Sequence, residues 1–352
     1  MNITRFGTST VFLLIVSSLL QGVFTGLNAA KVMNLGVCSW VPIVGITLTP
    51  FMWLGSPADF WPAAYTAMIS TVLGSVLLLI SIGIDSKNRA KDAVYAMPTF
   101  INFFKAFGNI LFAFGGASAF PNFQNDMKNK EEFPRAVTFG FIGLLVLYIP
   151  VSGGGYGVYG TSVHPNIIAD LPANGLTTTI QIMFLIHCYF AFLIIINPVL
   201  LEIEELLNIP KHFNWKRCAF RTILMAAMVF TGMSVPTFGD IIDLIGGTTV
   251  AFMAFVMPPI FYFKLCSDDG NGAWTKKYAY ISNIYLTPWL IPYIIGEIPR
   301  YMKIILIQIA ILGVIGGIAS TYSSIASFVD PNTSLEPACY VRHTNNTYFY
   351  KS

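Results

Sequence analysis

What this sequence most lacks is charge: Asp, Glu, Lys and Arg make up 11% of its 352 residues, under half the share of an ordinary soluble domain. The deficit excludes a surface built for water. Hydrophobic residues reach 55%, and stretches of about twenty residues carry no charge at all, the length that crosses a bilayer. A basic patch is missing too. The net charge of +3 is spread over connecting segments, so no nucleic-acid partner is indicated. Gly153 to Gly157 is glycine-rich, yet it closes an apolar span instead of joining a strand to a helix, which speaks against a phosphate loop. No nucleotide motif, no nucleophile beside a base, no paired intramembrane carboxylates and no H-E-x-x-H sequence occurs, so neither an ATP-driven pump nor a membrane-embedded enzyme is expected. No cofactor is implied.

Cysteines are few and scattered. Cys38, Cys188, Cys218, Cys266 and Cys339 form no C-x-x-C pair, which argues against a metal site or a dense disulfide framework. Most read as small apolar residues inside spans. Cys339 alone sits in a polar tail open to oxidation, with no partner that the sequence names.

What is abundant is long apolar segments. Nine spans are expected: Thr8 to Ala30, Val37 to Leu54, Ala63 to Ile84, Phe107 to Phe123, Ala136 to Tyr159, Leu176 to Leu201, Cys218 to Val235, Ile241 to Phe263 and Ile304 to Val329. Arg5 ahead of Val11 to Leu20 resembles the start of a signal peptide, but the run continues to about Ala30, past the roughly 7 to 15 residues of an h-region. Ile281 to Gly296 is shorter and holds Pro288 and Pro292, both helix-bending, so it reads as interfacial or re-entrant.

Positive charge orients these spans. Lys128, Lys130 and Arg135, then Lys211, Lys216, Arg217 and Arg221, then Lys264, Lys276, Lys277, Arg300 and Lys303 mark basic loops expected on the cytoplasmic side. The alternate segments Gly160 to Gly175 and Pro236 to Gly239 contain neither Lys nor Arg. Lys87, Arg89 and Lys91 break the pattern. Two N-glycosylation sequons, at Asn332 and Asn345, fall in the polar tail 330–352, which nine spans from a cytoplasmic N-terminus put outside. The sequon at Asn2 would be cytoplasmic and silent.

Within the fourth span, Phe112-Ala113-Phe114-Gly115-Gly116-Ala117-Ser118 leads through Phe120-Pro121-Asn122-Phe123, and both glycine and proline weaken a helix here. Broken helices at membrane depth hold substrates or ions on backbone groups. Close helix packing through small residues is the other reading. Both are open on spacing alone.

These residues, with Gln124-Asn125-Asp126-Met127, Phe133-Pro134-Arg135-Ala136, Gly153 to Gly160, Asn197-Pro198, Asp243-Leu244-Ile245-Gly246-Gly247, Pro258-Pro259 and Trp53 to Trp61, resemble the amino acid/auxin permease family. The resemblance covers about four-fifths of the chain. It implies an all-α membrane protein similar in fold to the bacterial leucine transporter, whose eleven helices include two inverted five-helix repeats with the first and sixth helices broken. Counting back from Gly115 makes the span at Thr8 the third family helix, so the first two are expected to be absent. Residues 278–296 match nothing in the family. A single transmembrane domain over 1–329 is therefore expected.

The resemblance implies secondary transport of an amino acid by alternating access in the lipid bilayer, coupled to H+ or Na+, at the plasma membrane or an endolysosomal or vesicular membrane. Phe114, Gly115, Gly116, Ala117 and Ser118 would contact substrate. A non-transporting relic, structural or partner-binding, is the alternative. His187 and Asn197 are polar residues within one apolar span, open to coupling or substrate roles or to structural hydrogen bonding and kink repair beside Pro198. Asp240 and Asp243 open a span, either as caps or, for Asp243, in gating or proton relay. Glu202, Glu204 and Glu205 read as a solvated face.

Overall fold

The computed structural model describes residues 2–27, 36–54, 61–164, 166–210, 212–234, 238–267, 300–329 and 338–342. Among these, all regular structure is helical. The helices are α1 (Asn2–Gly26), α2 (Val37–Trp53), α3 (Trp61–Arg89), α4 (Phe100–Ala113), α5 (Phe120–Asp126), α6 (Phe133–Tyr159), α7 (Gly175–Leu206), α8 (Trp215–Ser234), α9 (Phe238–Ile245), α10 (Met257–Ser267), α11 (Arg300–Val329) and α12 (Cys339–Arg342). Six stretches among the described residues are long and apolar enough to cross a membrane, beginning at Asn2, Pro62, Lys130, Gly175, Ile241 and Arg300. Val37–Trp53 and Phe100–Ala113 are shorter apolar helices. In α8, Lys216, Arg217 and Arg221 occupy the first two turns, which dilutes its apolar character. Each of the nine expected spans thus overlaps a described helix, six of them in stretches long and apolar enough to cross, in a multi-pass all-α membrane protein.

Several helix ends and hydroxyl groups are satisfied locally, as hydrocarbon favours. Thr99 caps α4 by accepting from the Asn102 N–H at 3.2 Å, and Asn174 caps α7 by accepting from Thr177 N–H at 2.9 Å. Thr8, Ser17 and Thr71 each donate to the carbonyl one turn back. Large apolar side chains such as Phe139, Val146 and Ile149 on α6 and Ile304, Ile315 and Ile318 on α11 point outward, a surface suited to lipid rather than water.

The chain divides into two compact units. The larger holds residues 2–97, 147–241 and 334–352. In it α1 packs along α7 and on α2 and α8, α2 packs on α8, and α3 lies against α7. Its core of Leu13, Val41, Leu48, Phe192, Ile196 and Met228 is fully buried. The smaller unit comprises residues 98–146 and 242–333, with Met1. There α11 packs against α4 and against two wide, π-helical stretches, Gly246–Val250 and Phe252–Val256, that join α9 to α10.

Helices outrun the expected spans because their charged ends find partners. Arg5 lies 3.6 Å from Glu202, extending α1 back to Asn2. Asp85 accepts from the Tyr159 hydroxyl at 2.9 Å and pairs with Arg89 at 3.6 Å, which carries α3 to Arg89 and engages one of the cations that broke the charge pattern. Two expectations are overturned. Glu204 does not belong to a solvated face, and Arg217 and Arg221 are not loop residues: all three are buried. Arg221 donates to Glu204 from Nε at 2.5 Å and from Nη2 at 3.0 Å, while Arg217 Nε donates at 3.3 Å. Arg221 Nη1 also donates to the Met52 carbonyl. Charge at a helix end is solvated only where no counter-charge faces it. Likewise Cys38 is no mere apolar filler, since it is bonded to Cys339.

Candidate functional site

The smaller unit contains the interruption that the sequence places at Phe114 to Ser118. Regular α-helix stops at Ala113; Phe114 leaves it with φ −99° and ψ 10°, and Gly115–Ala119 form a tight 3-10 turn before α5. Aromatic side chains brace the break. Phe114 stacks on Phe141 of α6 with ring centroids 5.9 Å apart, and Phe120 meets Phe133 and Phe141 edge-on. The two glycines differ. A Cβ on Gly115 would press Val250 at 3.3 Å, whereas a Cβ on Gly116 would meet nothing within 4 Å among the described residues. Gly116 therefore leaves its backbone open to approach, while Gly115 lets the turn sit against the wide helix of residues 246–250. The backbones of Ala117 and Ser118 continue the same turn.

A second irregularity faces the first. Wide π-turns over Gly246–Val250 and Phe252–Val256 interrupt the α9–α10 span, a feature that recurs at functional sites. Gly246 and Gly247 allow it: a Cβ on Gly246 would collide with the Gly108 carbonyl, and one on Gly247 with Ser320. Hence α4, the α9–α10 span and α11 cross at backbone contact.

Around that crossing lie polar groups. Asp243 is the sixth residue of α9, too far in to cap its start, so the capping alternative does not hold for it. Its carboxylate instead lies 3.7 Å from Lys105 Nζ, which donates to Ser327 Oγ at 3.1 Å. Ser320 and Ser323, on the same α11, are fully buried, and their hydroxyls have no hydrogen-bond partner among the described residues. Lys105 stands about 12 Å along α4 from the break at Ala113.

His187 and Asn197 belong to the larger unit. His187 Nδ1 is 2.6 Å from Thr71 Oγ1 on α3, and Phe12 packs edge-on against its ring. Asn197 is buried, and its Oδ1 has no hydrogen-bond partner among the described residues. A small cavity beside it is lined by Phe51, Leu193, Leu200 and Arg221. No group of three or more His, Cys, Asp or Glu side chains that could hold a metal exists among the described residues. Asn332, Asn345 and the stretch 278–296 lie outside the described residues.

Lys105, Ser320, Ser323 and Ser327 are absent from the sequence-based candidates. The signal for Lys105 was available: it is the sole charge in the run Phe100 to Phe120, and an ionisable residue in such a setting is a functional candidate. The serines had none, because hydroxyls in helices usually bond to their own backbone.

A family profile described as transmembrane amino acid transporter protein matches residues 1–296. The matched range runs across 278–296. Amino acid transporter AVT3C of Arabidopsis thaliana is 25% identical over 180 residues, covering 51% of this chain and 40% of its own. Amino acid transporter AVT1D of the same plant is 23% identical over 336 residues, covering 92% and 54%. Amino acid transporter ANT1, also from that plant, is 24% identical over 290 residues, covering 77% and 65%. The chain spans about half the length of the curated relatives it matches. No solved structure gives a significant match.

Proposed function

The chain belongs to the transmembrane amino acid transporter family, and from that premise we propose that it carries an amino acid across a membrane by alternating access, coupled to H+ or Na+. The observation that carries this reading is the paired irregularity in the smaller unit: the break at Phe114 to Ala119 set against the wide turns of Gly246 to Val256. A continuous helix pairs its backbone groups along its own axis. An interrupted one turns them toward side chains, water or a ligand, and an amino acid offers a carboxylate and an ammonium that suit such groups. Phe114, Gly115, Gly116, Ala117 and Ser118 are the substrate-facing residues on this reading.

Asp243 with Lys105 forms the coupling or gating pair. The carboxylate and ammonium lie two turns from the break, where a proton taken by Asp243 would release Lys105. His187 and Asn197 are secondary candidates for coupling, on the strength of their place in an apolar helix. The membrane is the plasma membrane or an endolysosomal or vesicular one. A second reading is a scaffold that serves a partner without carrying substrate.

Reconstitution in liposomes decides between them. Uptake of labelled amino acids, driven by an imposed proton or sodium gradient and lost in Gly115→Leu/Gly116→Leu at equal protein level, supports transport at the break. Absence of uptake under every gradient favours the scaffold, and unchanged uptake in the double variant removes the break from the substrate path.

A further inference from the structure

We propose that the Cys38–Cys339 disulfide is a maturation site on the extracytoplasmic face that latches helix α12 onto the ends of α2 and α8. The bond joins residues 301 positions apart, with the two Cα atoms 5.4 Å from each other and both side chains buried. Beside it, Tyr340 of α12 stacks on Phe230 of α8, ring centroids 6.2 Å apart and planes 3° from parallel. The short helix is thus held covalently to α2 and by an aromatic face to α8.

The compartment follows from the geometry of α2 and α8, which run antiparallel. At one end, Arg221 donates to the Met52 carbonyl and Trp53 Nε1 donates to Thr222 Oγ1 at 3.1 Å. At the other end stand Cys38 with Cys339, and Phe230 with Tyr340. From Cys38 to Met52 the axis advances about 21 Å at 1.5 Å per residue, most of the roughly 30 Å hydrocarbon thickness. The two ends therefore face opposite sides of a bilayer. Lys216, Arg217 and Arg221 stand in the first two turns of α8, at the first end, which makes that side cytoplasmic.

The cysteines sort themselves accordingly. Cys218, next to Arg217 at the basic end, remains a thiol, as a reducing cytosol would keep it, whereas the bonded pair lies where disulfides persist. The sequons at Asn332 and Asn345 flank Cys339 in sequence and would be usable on the same side. In forming the bond, the two thiols give up two protons and two electrons. The acceptor is an oxidised dithiol–disulfide oxidoreductase of the secretory lumen, whose own disulfide becomes two thiols by way of a mixed disulfide. The latch is independent of whether the chain transports anything.

The test counts thiols on the full chain. Membranes are denatured in acid to stop thiol exchange, and mass-adding maleimide is then applied to the neutralised, denatured protein with or without prior reduction. Three tags before reduction and five after are expected from the five cysteines. Cys38→Ser and Cys339→Ser should each carry four tags under both conditions, and Cys188→Ser two before and four after. Five tags on the unreduced wild type overturn the bond. An epitope placed after Ser352 should survive protease added to sealed microsomes and be cut once detergent is present; cutting without detergent overturns the compartment.

Discussion

Lys105 Nζ lies 3.7 Å from Asp243 Oδ2, so one charge of each sign is carried from α4 and α9 into a setting where the carboxylate side chain is only 10% exposed. Removing the cation leaves Asp243 a costly neighbour of apolar groups. Lys105→Met is expected to lower stability by about 1–3 kcal/mol, below the about 3–5 of a fully buried pair because Lys105 is a quarter exposed. Thermal unfolding in detergent measures it. Lys105→Met/Asp243→Leu should recover most of the loss, while uptake stays abolished in Lys105→Met, in Asp243→Leu and in the double variant if the pair couples transport. A double variant no more stable than the singles would show that the two charges do not act on each other.

The two glycine positions separate packing from function. Gly246→Ala forces a methyl group into the Gly108 carbonyl, and neither backbone can yield without moving α4 against α9. A loss of about 3 kcal/mol is expected, seen as a lower unfolding midpoint and reduced yield. A Cβ on Gly116 meets nothing within 4 Å among the described residues, so the unfolding midpoint of Gly116→Ala should match the wild type while uptake falls at least tenfold. Equal loss of stability in both would mean that the break is a packing device.

The buried cluster of Glu204, Arg217 and Arg221 makes a third expectation. Glu204→Gln removes the charge that both guanidinium groups share and leaves them desolvated, which should cost about 3–5 kcal/mol. Arg221→Lys should cost nearly as much, because a single ammonium cannot reach Glu204 through two nitrogens and the Met52 carbonyl together. Glu205→Gln, on an exposed neighbour, serves as the control and should change stability by less than about 0.5 kcal/mol. Chemical denaturation of the three proteins compares them directly.

Local chemistry was legible in the sequence and distant partnership was not. Gly115 and Gly116 announce the break at their own positions, because glycine weakens a helix wherever it sits, and uncharged runs announce spans for the same local reason. Glu204 reads as one of three surface acids until Arg221, 17 residues on, folds onto it. Asp243 reads as a cap until Lys105 arrives from a different helix, and Cys38 reads as an apolar residue until Cys339 reaches it across 301 positions. In each case the residue type permits several environments, and only the packing of helices selects one.

Asn197 tests whether a buried acceptor is kept for function. Its Oδ1 is enclosed, with no hydrogen-bond partner among the described residues, and such a group carries a desolvation penalty of about 1–3 kcal/mol. Asn197→Leu removes that penalty, exchanging the amide oxygen and nitrogen for methyl groups with the same number of side-chain heavy atoms, beside a small cavity lined by Leu193, Leu200 and Phe51. Stability should therefore hold or rise by up to about 1 kcal/mol, measured by thermal unfolding. Uptake should fall to background in the same preparation, since a polar atom that weakens the fold persists where it serves substrate or ion. Retained uptake together with a raised midpoint would remove Asn197 from the transport path, and a lowered midpoint would show that its amide supports the bend at Pro198 instead.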